Sequence, residues 1–197
     1  MNPSIEKLIK MFAKLPRVGA RAGQRIVLAL LQDKNGRAEN LANMLLTVSQ
    51  TIHPCHNCGV LTDSDLCEFC RDEQRLNGTL CVVRDMADVW TLEKSNVFHG
   101  RYHIIGGLLS GTTGTTPDDL NISGLQKRVK QENISEIIFA LPNTIEGKTT
   151  ANYIMSYIEN ADNIVYSELA SGVPLGGDLD YIDDGTLTLA FGGRKKL

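Results

Sequence analysis

Cys55-His56-Asn57-Cys58, followed after eight residues by Cys67-Glu68-Phe69-Cys70, is the stretch on which the reading of this chain turns. Two Cys-x-x-Cys knuckles so close together offer four thiolates to one tetrahedral ion, and zinc suits a closed four-sulfur site best. They are read as a structural zinc finger holding one Zn2+ per chain. The alternatives are two redox pairs, or the disulfides of a secreted module. No hydrophobic signal segment opens the sequence, so an oxidising compartment is not expected and a cytoplasmic location is. His56 could replace a thiolate, but four cysteines already complete the set and it is expected at the surface. Cys81, inside Leu80-Cys81-Val82-Val83, is expected in the core.

The sequence differs in kind on the two sides of the knuckles, which makes them look like a hinge between modules. On that reading, loss of the metal would loosen residues 53–72 and could leave the following sheet folded. The 197 residues, 42% hydrophobic, are enough for one ordinary core and a small satellite. No apolar run approaches the roughly 20 residues needed to span a bilayer. The net charge of −3 hides an asymmetry, since residues 1–40 carry +5 and the remainder −8.

Ser4 is a candidate cap for a first helix with Ile5, Leu8, Ile9, Phe12 and Leu15 at helical spacing. Leu15-Pro16-Arg17-Val18-Gly19 breaks it, and a second helix runs over about residues 20–31 with Ile26, Ala29 and Leu30 as its buried stripe. Arg21 and Arg25 lie four residues apart, on one face. This is the outline of a helix-hairpin-helix, whose turn and following helix N-terminus can present N–H groups to a phosphate. An ordinary two-helix turn with a solvated basic face would look the same. A third helix, residues 37–52, is scaffold, with Leu41, Met44, Leu45, Val48 and Ile52 at packing positions.

Beyond the knuckles, strands are expected at residues 80–83, 102–106, 137–141 and 163–166, and helices at 87–92, 125–131 and 149–158. Their alternation predicts a small parallel sheet covered on both faces. The Gly/Thr-rich loop over residues 110–117 leaves a strand end, where such sheets gather ligands, although a mobile linker would have the same composition. Gly147-Lys148-Thr149 resembles the end of a P-loop, but Pro142 stands where the first glycine belongs. His53, His56, His99 and His103 are scattered and suggest no acyl-transfer site. The acidic pairs Asp85/Asp88, Asp118/Asp119 and Asp183/Asp184 read as solvated surface ahead of a hard-metal site.

The basic hairpin, the four-cysteine knuckle, the strand at Cys81-Val82-Val83 and the closing Gly172-Val173-Pro174-Leu175-Gly176-Gly177 follow one another in an order that resembles the bacterial RecR recombination proteins from end to end. Gly100-Arg101-Tyr102, Pro117-Asp118-Asp119-Leu120, Glu146-Gly147 and Ala151-Asn152-Tyr153-Ile154 strengthen the likeness, as do Thr186-Leu187 and Gly193-Arg194. The resemblance implies a mixed α/β chain. Its parts would be a helix-hairpin-helix region at residues 1–54, a zinc finger at 55–70, a Toprim domain at 79–174 and a C-terminal assembly tail at 175–197.

It also implies a homotetrameric ring that clamps single- or double-stranded DNA without sequence specificity and works with RecO and RecF to place RecA on single-stranded gaps. Arg21 and Arg25 would face DNA, joined by Arg17, and the surface near Glu146 would face a protein partner. The location implied is cytoplasmic and nucleoid-associated. Two departures from the family pattern stand out. Arg84 occupies the position where relatives carry a Toprim glutamate, and Asn143 and Thr144 supply no Asp-x-Asp, so metal-assisted phosphoryl chemistry is not expected. Arg17 occupies a hairpin position usually held by Gly. The expected function is a non-enzymatic DNA-binding mediator of recombinational repair. A Toprim nuclease or topoisomerase-like enzyme is the alternative, and a zinc-bearing scaffold for other proteins is a third.

Overall fold

Pro3, at the first position of α1 (Pro3–Ala13), lacks an N–H that a helix start leaves unpaired in any case, and Asn2 Oδ1 accepts from Ser4 N at 2.9 Å. Asn2 therefore caps the helix, and Ser4 lies one step too far inside to do so. The computed structural model describes residues 2–158 and 163–194 in two compact units divided between Ile52 and His53; the last three residues of the expected tail lie outside the described residues.

In the first unit α1 packs on α2 (Ala20–Gln32). Gly23 permits the close approach, because a Cβ there would sit 3.1 Å from Ile9 O and Ala13 N. The buried stripe is consequently Gly23 and Val27, flanked by half-buried Ile26 and Leu30, whereas Ala29, expected inside, is exposed. α3 (Arg37–Thr51) buries no residue, and Leu41, Met44, Leu45 and Val48 stay open to solvent, Met44 at 61%. The spacing that marked this helix as scaffold is real, but among the described residues of its own unit nothing buries it.

The second unit is built on a parallel sheet ordered β4-β3-β5-β6, with β3 Thr79–Val83, β4 Arg101–Ile104, β5 Glu136–Ala140 and β6 Val165–Glu168. Cys81 pairs in register with Tyr102 on one side and Ile138 on the other. Helix α5 (Met86–Ser95) joins β3 to β4, α6 (Ile122–Gln131) leads into β5, and α7 (Ile145–Tyr157) joins β5 to β6. The period of two sorts the strand side chains between faces. Leu80, Val82, Ile137 and Phe139 meet α6 and α7 through Leu125, Val129 and Ile154. Cys81, Val83, Tyr102 and Ile104 point the other way, toward Val89 of α5 and toward Cys55, Cys58, Val60, Cys67, Phe69 and Cys70. The knuckles thus cover a face of the sheet. They share a core with the sheet and do not form a separate hinge, so metal loss is expected to be felt beyond residues 53–72.

Boundaries moved for local reasons. Thr144 accepts from Gly147 N at 3.2 Å and starts α7 at Ile145, four residues before the expected onset. Helix α6 begins at Ile122 and carries Gly124 inside it, β4 ends at Ile104, and β6 begins two residues late, at Val165. The loop over residues 110–117 is not a loose linker. Ser110 and Thr115 exchange both backbone hydrogen bonds, at 3.2 and 3.0 Å, and close it.

His103 is fully buried, with Nε2 2.8 Å from Asn121 O. Burial pushes its pKa down to about 4, the positive charge of Arg128 adding to the effect against the Asn121 carbonyl. As pH falls, the unfolded chain takes up this proton first, near the ordinary value of about 6.5, so stability is lost progressively from there down to the folded pKa of about 4. The full loss is roughly 3 kcal/mol. His103→Gln should flatten this part of a urea-midpoint profile relative to the parent, while thiolate protonation affects both alike. Parallel profiles between these limits would contradict the assignment.

Candidate zinc centre and nucleic-acid interface

Strands β1 (His53–Pro54) and β2 (Leu61–Thr62) form an antiparallel ribbon that carries the first knuckle at its turn. Cys55 N donates to Val60 O at 2.7 Å and Gly59 N to Cys55 O at 2.9 Å, with Gly59 in the left-handed region (φ 80°). The second knuckle frames a single helical turn, α4 (Glu68–Arg71), with Cys67 at its cap. The four sulfurs lie within 4.8 Å of one another, all four cysteines are buried, and Cys58 Sγ is 3.4 Å from Cys67 Sγ. A tetrahedral Zn–S site at about 2.3 Å separates its sulfurs by about 3.8 Å, so the set fits zinc. Hydrogen bonds to Cys67 and Cys70, and then burial, push the Cys58 thiol far above its ordinary range, so this crowded cluster needs a cation to ionise fully. Among the described residues no other group of three or more His, Cys, Asp or Glu could hold an ion. His56 is exposed, as expected. Cys81 is buried, and desolvation lifts it to about 12, which makes it an inert core thiol.

Sequence reasoning missed what anchors this centre. Arg128, on α6 and 1% exposed, donates through Nε to Glu132 Oε1 at 2.8 Å and through a terminal nitrogen to Tyr102 O. Asn57 Nδ2 also donates to Glu132 Oε1, at 2.8 Å, and Arg101 lies 3.4 Å from Glu132 Oε2. Burial works against the Glu132 charge, but Arg128, Asn57 and Arg101 outweigh it and hold the carboxyl below its usual range. The one signal in the sequence was a charged residue beside Leu125 and Val129 on an otherwise apolar helix stripe.

At the Toprim position, Arg84 Nε is 2.9 Å from Asp85 and a terminal nitrogen is 3.6 Å from Asp88. Both carboxylates are further engaged in the capping box of α5. The other acidic pairs also have local work, since Asp119 accepts from Thr116 N and Oγ1 and Asp183 caps α8 (Asp184–Gly192). Gly147 lies where a Cβ would come 2.0 Å from Pro142 O, and its N–H already meets Thr144, so no phosphate cradle opens there.

The hairpin turn closes through Val18 N to Leu15 O at 3.0 Å, with Pro16 second and Arg17 third at φ 62°. That is the type II pattern, whose third position favours Gly, and Arg17 bears a strain of about 1–2 kcal/mol there. Gly19 caps α2 without a side-chain bond, and the exposed first turn holds no acid. Arg17, Arg21 and Arg25 are exposed and, among the described residues, make no ion pair.

Glu146 is exposed at the start of α7 and shares a shallow cavity of about 380 Å³ with Ile145, Thr149 and the loop over residues 110–117. Thr150 joins the two sides by accepting from Leu109 N at 2.9 Å and donating to Glu146 O at 2.6 Å. The structure thus brings together two features that the sequence left apart.

Comparison with known proteins agrees with this architecture in order. Family models match as the RecR helix-hairpin-helix over residues 5–49, the RecR four-cysteine zinc finger domain over 52–72, the Toprim domain over 78–169 and the RecR C-terminal region over 172–195. The chain is 45% identical over 192 residues to Recombination protein RecR of Cereibacter sphaeroides, covering 98% of this chain and 96% of that protein. It is 46% identical over 193 residues to that of Ruegeria pomeroyi, covering 98% and 96%. With Ruegeria sp. the identity is 45% over 196 residues, covering 100% and 98%. With every part present in sequence order and this identity sustained over nearly its whole length, the chain belongs to the RecR family of recombination proteins.

Proposed function

We propose that the chain is a non-enzymatic, DNA-binding mediator of recombinational repair, assembled as a homotetrameric ring and acting with RecO and RecF to place RecA on single-stranded gaps. The observation that carries this reading is the exposed Arg21 and Arg25 face, without an ion pair among the described residues, beside the N-terminus of α2, in a chain of the RecR family. Such a face holds phosphates of single- or double-stranded DNA irrespective of sequence, with Arg17 adding charge at the turn. One structural Zn2+ per chain, on Cys55, Cys58, Cys67 and Cys70, keeps the second unit folded.

A few basic side chains on a net-acidic chain bind weakly at physiological salt, so retention calls for several copies acting together. The uncovered stripe of α3 supports assembly, as do Leu175, Leu189 and Phe191 of the tail, all exposed in the single chain; Leu187 is partly covered. Glu146 and its cavity, at the C-terminal ends of the strands, are the proposed partner surface. No described helix is long and apolar enough to cross a membrane, and a cytoplasmic, nucleoid-associated location fits the role. Arg84, paired with Asp85 and Asp88, puts positive charge where a Toprim enzyme needs a metal-binding carboxylate, which supports the non-enzymatic reading over a nuclease or topoisomerase.

A closed ring should survive a salt wash on covalently circular DNA and slide off after linearisation, with no Mg2+-dependent cutting or relaxation in parallel. Equal retention on both forms would refute the clamp. Cleavage that copurifies with the protein would refute the mediator.

A further inference from the structure

Arg128 is the largest fully buried side chain among the described residues, and it connects the two faces of the sheet. It arises from α6 beside Leu125 and Val129, passes the outer edge of β4 where it meets Tyr102 O, and ends with Nη2 3.9 Å from Cys70 Sγ. Asn57 Nδ2 comes to the same sulfur at 3.8 Å. Among the described residues no side-chain nitrogen reaches the other three sulfurs; Cys55 Sγ receives only the backbone N–H of Cys67, at 3.4 Å. The knuckle is also tied to β4 directly, by Ile104 N donating to Cys58 O at 2.8 Å, and Arg101 donates to Asp72 O at 3.1 Å. Four thiolates around a divalent ion leave two negative charges uncompensated in a buried place, and hydrogen-bond partners behind the ligands set how firmly such a metal is held.

We propose that Arg128, seconded by Asn57, is a positioning residue of the zinc centre that offsets thiolate charge at Cys70 and locks this ligand to the edge of β4. Zinc is thereby retained, and Cys70 is the thiolate least open to electrophiles. The inference rests on the reading that the four cysteines hold zinc.

The test is zinc transfer to a chromogenic chelator from freshly purified full-length protein, with mass-spectrometric ordering of cysteine alkylation. In the parent, Cys70 is modified last. In Arg128→Gln, zinc transfer should run about 10- to 100-fold faster and Cys70 should become the first cysteine modified. Arg128→Lys, which keeps the charge, should recover most of the retention. A folded Arg128→Gln protein with unchanged zinc transfer, or one whose four cysteines become reactive together without rescue by Lys, overturns the proposal. If Arg128→Gln does not fold, Asn57→Ala decides. It should advance Cys70 in the alkylation order and speed zinc loss by up to about tenfold, and no change in either overturns the proposal. A parent protein without zinc would instead refute the metal reading itself.

Discussion

Cys58→Ser or Cys67→Ser is expected to release zinc and to unfold far more than the knuckles. Structural zinc contributes about 10–16 kcal/mol of apparent binding free energy in small finger peptides, comparable with the entire stability of an ordinary domain, about 5–15 kcal/mol. Here Cys58 and Cys67, with Cys55 and Cys70, share a core with Cys81, Val83, Tyr102 and Ile104 of the sheet. Loss of the metal leaves crowded thiols that must reprotonate or separate, and it uncovers that face to water. Hydrogen exchange should therefore rise over residues 53–72 and also in β3, β4 and α5. The hairpin of α1 and α2, in the other compact unit, should stay protected. Variants whose β3 amides exchange at the parent rate would show that the sheet does not depend on the knuckles, and the expectation of a separable finger would stand.

Reversing both Arg21 and Arg25 to Glu should weaken DNA binding by about a hundredfold or more at physiological salt. Charge-assisted hydrogen bonds contribute about 1.5–3 kcal/mol each, two are lost per chain, and each tenfold in affinity corresponds to about 1.4 kcal/mol. On the proposal that these contacts are to phosphate, the loss should be nearly the same for every sequence, and the slope of log K against log salt should fall by about 2 for each chain engaged. Both residues are exposed, so stability should hardly change, and circular dichroism should confirm the fold. Undiminished binding in the folded double variant would make this face plain solvated surface and move the DNA contact elsewhere.

Local chemistry made several parts of this molecule legible before any coordinates. The Cys-x-x-Cys spacing names a four-sulfur site because tetrahedral geometry needs four ligands within a short loop, and the site is found at Cys55, Cys58, Cys67 and Cys70. The alternation of apolar runs and amphipathic segments named the parallel sheet, because strand and helix periods differ along the chain itself. Arg17 stood out by comparison with the Gly that such hairpins usually carry, and its φ of 62° is the conformation that favours Gly there.

What tertiary structure decided were the relations between residues far apart in sequence. That the knuckles cover a sheet face depends on Ile104 N meeting Cys58 O and on Cys81 sharing one buried cluster with the four knuckle cysteines. Arg128 reaches Cys70 from 58 positions away, and no local period records such a contact. The cavity at Glu146 exists because Thr150 holds Leu109 beside α7, 41 residues apart in sequence. Helix α3 makes the converse point. Its apolar spacing is a true statement about a helix face, but whether a face is buried depends on what stands opposite it, and among the described residues of its own unit nothing buries this one.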